Sequence, residues 1–142
     1  MKISARNAFA GTVDAIKSGA INAEIDIALP GGLHIVATVT NDAVSELGLT
    51  PGKPVTALIK ASSVLVLTDG NGVKLSARNC LPGTITALID GPVSSEVAIG
   101  LANGSTVFAT ITHEGSVALG LQIGMSASAV FKAPSVLLAV SA

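Results

Sequence analysis

Tryptophan and tyrosine are absent from the 142-residue chain, and phenylalanine occurs three times. A protein that stacks unpaired bases on aromatic side chains would have almost nothing to stack them on. Charge is scarce too: acidic and basic residues make up 12% of the sequence and nearly cancel, at a net −1. The phosphate-backbone attraction of a basic nucleic-acid binder therefore has no source. The single cysteine, Cys80, cannot close an internal disulfide. No apolar run approaches the roughly 18 residues that cross a bilayer, because Gly, Ser, Thr, Asn or a charge interrupts each one. The segment around Lys2 and Arg6 leads into no apolar stretch of the signal-peptide kind. A cytoplasmic location is expected, with neither membrane nor nucleic acid as partner. What abounds is apolar residues, 49% of the chain, which excludes the disordered class.

The chain is written twice. Sliding it against itself gives a gapless match at a spacing of 72, pairing Lys2-Ile3-Ser4-Ala5-Arg6-Asn7 with Lys74-Leu75-Ser76-Ala77-Arg78-Asn79. Further along, Gly11-Thr12 meets Gly83-Thr84, Glu24 meets Glu96, Leu47-Gly48-Leu49 meets Leu119-Gly120-Leu121, and Lys60-Ala61 meets Lys132-Ala133. Roughly 26 of about 68 aligned pairs are identical. The expected organisation is two copies of one domain, residues 1–69 and 70–142, joined by the turn-forming stretch Thr68-Asp69-Gly70-Asn71-Gly72. Units of this size have marginal cores without a staple or a partner, so packing between units and a homo-oligomer are expected.

Each copy reads as a small β-barrel. Ile21, Ala23, Ile25, Ile27 and Leu29 alternate with more polar neighbours, and Val97, Ile99 and Leu101 keep that phase in the second copy. The same holds for Ile35, Ala37, Val39 against Val107, Ala109, Ile111, and for Val55, Ala57, Ile59 against Ala127, Ala129, Phe131. Pro30-Gly31-Gly32 and Asn103-Gly104 supply the intervening turns. Between Thr40 and Leu49 the alternation fails, and Asn41-Asp42 followed by Gly48 predicts one short helix with Asn41 or Asp42 as its cap. With strands around residues 10–17 and 64–67, the expected fold is all-β: two tandem OB-like Greek-key barrels, each with one short helix.

Duplication is also a filter, because a feature kept in both copies is one that the unit needs. Six of the eight basic residues survive it, as Lys2/Lys74, Arg6/Arg78 and Lys60/Lys132. Glu24/Glu96 is the acidic pair kept unchanged, whereas Asp14, Asp26, Asp69 and Asp90 face non-acidic partners. His34 pairs with Thr106, His113 with Asn41 and Cys80 with Ala8, so no Cys-His catalytic pair or His/Cys metal cage recurs. No direct cation ligand and no catalytic residue is therefore expected. G-x-S-x-G, H-E-x-x-H and G-x-G-x-x-G are missing, and Gly52-Lys53 lacks the glycine spacing and the following Ser or Thr of a phosphate-binding loop.

What remains is Ser-Ala-Arg-Asn near the start of each copy and Lys-Ala-x-Ser near its end, spelled Lys60-Ala61-Ser62-Ser63 and Lys132-Ala133-Pro134-Ser135. Hydroxyl, guanidinium, amide and ammonium groups all donate hydrogen bonds, and alanine lets backbone N–H groups approach a ligand. Neither motif contains a carboxylate. Such a set suits a fully deprotonated tetrahedral oxyanion such as molybdate, tungstate or sulfate, whereas phosphate at neutral pH usually carries a proton that wants an acceptor. A second reading stays open: Arg6 and Arg78 pair with Glu24 and Glu96, while Ser and Asn satisfy backbone groups at a strand end.

These motifs, together with Gly-Ala-Ile-Asn-Ala-Glu-Ile at 19–25, Thr-Asn-Asp-Ala-Val-Ser-Glu-Leu-Gly-Leu at 40–49 and Ile-Lys-Ala-Ser-Ser-Val at 59–64, closely resemble the Mop domain of the molbindins. The resemblance covers both copies and implies a tandem, non-catalytic molybdate-binding protein for storage and homeostasis. It also implies an OB-like barrel and a trimer with oxyanion sites at its domain interfaces. Carried over by motif, the main sites use Ser4, Ala5 and Arg6 with Lys60, Ala61 and Ser62 or Ser63, and Ser76, Ala77 and Arg78 with Lys132, Ala133 and Ser135; Asn7 and Asn79 belong to the same motif. Pro134 replaces Ser62 in the second copy. A second class of site involves Ala20, Ile21 and Asn22, with Val93 and Ser94 as the departing counterparts. An alternative function is an oxyanion-responsive interaction module that changes partners on binding.

Overall fold

Ten strands, two short α-helices and three single-turn 3-10 helices make up the chain in a computed structural model that describes residues 1–142. The first copy contributes β1 (Asn7–Ser18), β2 (Asn22–Ala28), β3 (His34–Thr40), α1 (Asn41–Leu47), β4 (Pro54–Ile59) and β5 (Leu65–Leu67). The second repeats the order as β6 (Asn79–Asp90), β7 (Ser94–Leu101), β8 (Thr106–Thr112), α2 (His113–Leu119), β9 (Ser126–Phe131) and β10 (Val136–Ala139). The protein is mostly β with an OB-like architecture, as the alternation predicts. No helix is long and apolar enough to cross a membrane.

One sheet runs β10-β4-β1-β2-β3 and the other β5-β9-β6-β7-β8. In each, three hairpin-linked strands are followed by a fourth that returns beside the first, which is Greek-key order. The fifth strand of each sheet comes from the other copy: β10 pairs with β4, and β5 with β9. The compact units accordingly comprise Met1–Ile59 with Lys132–Ala142, and Lys60–Phe131. These units and the sequence copies are different partitions of the chain.

The core follows the alternation. Ile25, Ile27, Ile35 and Ala37 are fully buried in the first unit, as are Val97, Ile99, Ala109 and Ala129 in the second. At the ends of β4 and β9 both faces are covered, so Leu58 and Val130 are buried beside the predicted Ala57, Ile59, Ala129 and Phe131. The repeated Gly11 is explained by close approach: a Cβ there would stand 2.5 Å from the Ala28 carbonyl oxygen across the β1–β2 pair. Ile21 departs from its predicted phase. It is 75% exposed, as its counterpart Val93 is at 78%, because both precede their strands and sit in the hairpin turn.

The helices start one residue earlier than the sequence signal. Thr40, not Asn41 or Asp42, is the N-cap, its hydroxyl accepting from Ala43 N–H at 3.1 Å, and Thr112 does the same for Gly115 at 3.0 Å. Asp42 and Glu114 lie in the first turns, where a carboxylate opposes the positive end of the helix dipole. Gly48 and Gly120 close both helices at φ 61°, a left-handed conformation that favours glycine. Lys53 donates from Nζ to the Leu47 carbonyl at 2.9 Å, neutralising the C-terminal end of α1.

Asn41, free of capping, ties α1 to the β1–β2 turn: its backbone N–H donates to the Ile21 carbonyl at 2.9 Å and its Nδ2 to the Gly19 carbonyl at 3.0 Å. The second unit keeps the backbone bond, His113 N–H to the Val93 carbonyl at 2.9 Å. There the side-chain tie is different. Asp90 Oδ1 accepts from Ser95 Oγ at 2.6 Å and from Ser116 Oγ at 3.3 Å, and both serines are buried.

Candidate functional site

The repeated donor motifs flank the strand ends that the register aligns. In the first unit Ile59 of β4 lies between Asn7 of β1 and Val136 of β10. Ser4, Ala5 and Arg6 immediately precede Asn7, Lys60 directly follows Ile59, and Ala133-Pro134-Ser135 immediately precede Val136. In the second unit Asn79 of β6 faces Phe131 of β9, and Leu65 of β5 faces the adjacent Val130. Ser76, Ala77 and Arg78 precede Asn79, Lys132 follows Phe131, and Ala61-Ser62-Ser63 lie just ahead of Val64 and Leu65.

The compact units divide the lysines and serines of these motifs differently from the sequence copies. Reading each copy separately joins Ser62 and Ser63 to Ser4-Ala5-Arg6, and Ser135 to Ser76-Ala77-Arg78. By compact unit, Lys132 and Ser135 fall with Ser4-Ala5-Arg6, and Lys60, Ser62 and Ser63 fall with Ser76-Ala77-Arg78. The cause is the exchange of fifth strands, since each 3-10 turn is tied to the strand that follows it.

Local structure at these positions is the same twice. Ala61–Ser63 and Ala133–Ser135 are single 3-10 turns, closed by Ser63 N–H to the Lys60 carbonyl at 2.9 Å and by Ser135 N–H to the Lys132 carbonyl at 3.0 Å. Pro134 at the middle of the second turn has a fixed φ and no N–H to donate. Ser4, Arg6, Lys60, Ser62, Ser76, Arg78 and Lys132 are exposed, Ala5, Ser63, Ala77 and Ser135 half-buried, and Asn7, Asn79, Ala61 and Ala133 buried. Asn7 and Asn79 thus anchor the first strand of each barrel, while the basic and hydroxyl groups around them reach solvent. Arg6 and Arg78, like Asn7, Asn79, Glu24 and Glu96, are engaged within the fold rather than free.

Ala20, Ile21 and Asn22 form the exposed tip of the β1–β2 hairpin, and Val93 and Ser94 the corresponding tip of β6–β7. Both tips carry a bare aliphatic side chain, Ile21 and Val93. A groove of about 880 Å³ in the second unit is lined by Ala77, Cys80 and the joining stretch from Leu67 to Asn71, with Asp69 as its charged group. The histidines did not enter the repeated motifs, and they lie apart from these strand ends: His34 opens β3 and His113 opens α2.

Comparison with known proteins gives a consistent picture. The TOBE domain model matches twice, at residues 3–66 and 75–138. The molybdenum-pterin-binding protein MopA of Rhodobacter capsulatus is 43% identical over 140 residues, 99% of this chain and 53% of its own length. The molybdenum transport protein ModE of Herbaspirillum seropedicae is 43% identical over 140 residues, 99% of this chain and 52% of its own. The chain thus spans about half the length of the curated relatives it matches. A crystal structure of ModG, described as a cytoplasmic molybdate-binding protein and solved with molybdate bound, superimposes with a TM-score of 0.96 at 49% identity, covering 99% of this chain and all of that one. These relatives are named for binding and transport, not for catalysis. Two matched domains and such identity along nearly the whole sequence establish that the protein belongs to the TOBE-domain family, as a tandem member of the Mop type.

Proposed function

We propose that the chain binds molybdate, and tungstate with it, as a non-catalytic cytoplasmic store that buffers the anion. The observation that carries this reading is the twofold recurrence of a donor set without a carboxylate, Ser-Ala-Arg-Asn and Lys-Ala-x-Ser, at matching strand ends. The main sites draw on Ser4, Ala5, Arg6, Asn7, Lys60, Ala61, Ser62 and Ser63 together with Ser76, Ala77, Arg78, Asn79, Lys132, Ala133 and Ser135. The hairpin tips, Ala20-Ile21-Asn22 and Val93-Ser94, contribute a second class of site. The similarity to ModG with molybdate bound supports the choice of anion. Charged hydrogen bonds contribute about 1.5–3 kcal/mol each, so a handful of them, less the cost of ordering, reaches micromolar affinity, about −8 kcal/mol.

The exposed apolar side chains support a homo-oligomer, a trimer by resemblance. They recur at the repeat spacing: Ile3 with Leu75, Ile21 with Val93, and Leu65 with Leu137, all at least 45% exposed. A monomer has no reason to keep the same bare aliphatics twice, whereas an interface does.

Isothermal titration calorimetry with molybdate, sulfate and phosphate tests the reading. Molybdate binding in preference to phosphate is expected; absence of heat, or equal affinity for phosphate, would overturn it. Elemental analysis for molybdenum in protein purified from molybdate-containing medium is an independent check. The match to only half of ModE favours a second reading, an oxyanion-responsive interaction module. A pull-down whose partners change with molybdate would select it.

A further inference from the structure

The first unit carries a side-chain cluster that oxyanion binding does not use. Asp14, Asp26 and His34 come from β1, β2 and β3, and one potential ligand atom from each lies within 4.8 Å of the other two. The pairing of β1 with β2 slips between Val13 and Ala15, so Asp14 is the extra residue of a β-bulge, a device that re-aims a side chain. Asp26 stands opposite Ala15 on one side and Val36 on the other, and His34 faces Ala28. His34 and Asp26 are therefore diagonal neighbours, with Nδ1 2.6 Å from Oδ1. Asp14 lies seven positions along β1 from Asn7, roughly 20 Å of extended chain, so this cluster is remote from the strand ends that carry the donor motifs.

The barrel does not require the cluster. The second unit has the same strand order and the same bulge, between Ile85 and Ala87, but its counterparts are Thr86, Ala98 and Thr106. All three positions differ together. His34 already pairs with Asp26 at 2.6 Å, and with Asp14 beside them the three side chains offer one ligand atom each within reach of a single ion. Carboxylate alone suits Mg²⁺, Ca²⁺ or Mn²⁺, thiolate suits softer ions, and adding an imidazole shifts preference to borderline divalent metals.

We propose that Asp14, Asp26 and His34 form a divalent transition-metal site, of the Zn²⁺ or Co²⁺ class, in the first unit alone. Three protein ligands leave the remaining positions to water, as in open zinc sites. Ligands about 2.0–2.1 Å from a metal sit roughly 3 Å apart, so metal entry displaces the proton between His34 and Asp26 with a small widening of that pair. The site departs from the expectation that no residue binds a cation directly, which rested on recurrence in both copies.

The test uses the full chain, stripped with chelator and titrated with Zn²⁺ alone by calorimetry and with Co²⁺ alone by visible absorption. One ion per chain is expected, not two, with a zinc-dependent shift of the His34 ring nitrogens in NMR while those of His113 stay in place. Asp26→Asn and His34→Gln should each weaken binding at least tenfold, and Asp14→Asn measurably, while molybdate titrations are unchanged. Circular dichroism verifies that the variants fold; all three side chains lie on the outer face, so loss of fold is not expected. No saturable binding up to millimolar metal, two equivalent ions per chain, or affinity indifferent to His34→Gln and Asp26→Asn would each overturn the proposal.

Discussion

In the proposed oxyanion sites Arg6 and Arg78 carry the most weight, because each brings a permanent charge and up to five donors to a motif that otherwise offers mostly neutral hydroxyl and amide groups. Replacing either with alanine is expected to lower molybdate affinity by about tenfold or more, the equivalent of one charge-assisted hydrogen bond, and the double variant should approach no measurable heat in calorimetry. Unchanged affinity in the double variant would return both arginines to a purely structural pairing. His34 gives a second prediction at this scale. Its hydrogen bond to Asp26, then the Asp26 charge and more weakly that of Asp14, hold its pKa above the ordinary 6.5. A histidine whose folded pKa is raised contributes stability that is fully present below 6.5 and is lost as pH rises through the folded value. In metal-free protein, NMR titration should find the His34 midpoint above 6.5 and Asp26→Asn should move it back down. Recurrence made Arg6 and Arg78 visible in the sequence. The same filter discounted Asp14, Asp26 and His34, since three positions far apart in sequence become neighbours only when three strands align.

Each short helix is held to the hairpin turn beside it, and the two copies solve that problem with different side chains. Asn41 does it in the first, and Asp90 with Ser95 and Ser116 in the second. Asp90→Ala would leave two buried hydroxyls without that acceptor, so a loss of about 1–3 kcal/mol is expected, measurable by chemical denaturation. The counterpart Ser18→Ala, which breaks no such bond among those described, should cost much less. Strand positions were legible because period-two burial leaves a direct trace in residue type: Ile25, Ile27, Val97 and Ile99 lie where the alternation puts them. Helix starts were less so. Asn41 and Asp42 are as good caps as Thr40 by type, and only backbone geometry selects the residue whose hydroxyl meets the N–H three positions on. Ile21 was misplaced for a related reason, since alternation continues into the turn after burial has ended.

At the scale of the molecule, the exchange of fifth strands makes the first unit depend on the distant stretch Lys132–Ala142, whereas the second is the continuous stretch Lys60–Phe131. Ending the chain after Phe131 would remove β10 and uncover the edge of β4, where residues 57–59 are buried. Hydrogen exchange in β4 should then accelerate strongly while β9, still paired with β5, remains protected. Oligomerisation gives the other whole-molecule prediction: the intact chain should elute in light scattering at three times its 14.0 kDa mass. The pair Leu65→Lys and Leu137→Lys, both at 62% exposed positions, should reduce it toward the monomer by placing charges in an apolar contact. The amino-acid order by itself determined the duplication, the two Greek-key β-barrels, the helix in each and the repeated donor motifs, because periodicity, turn chemistry and recurrence are local or self-referential signals. Only the tertiary structure decided which copy supplies each fifth strand, and hence that Lys132 and Ser135 lie in the compact unit of the first motif and Lys60, Ser62 and Ser63 in that of the second. The hydrogen bonds of β4 with β5 or with β10 would be alike in kind, and nearly identical segments carry no mark in their sequence of which partner they will take.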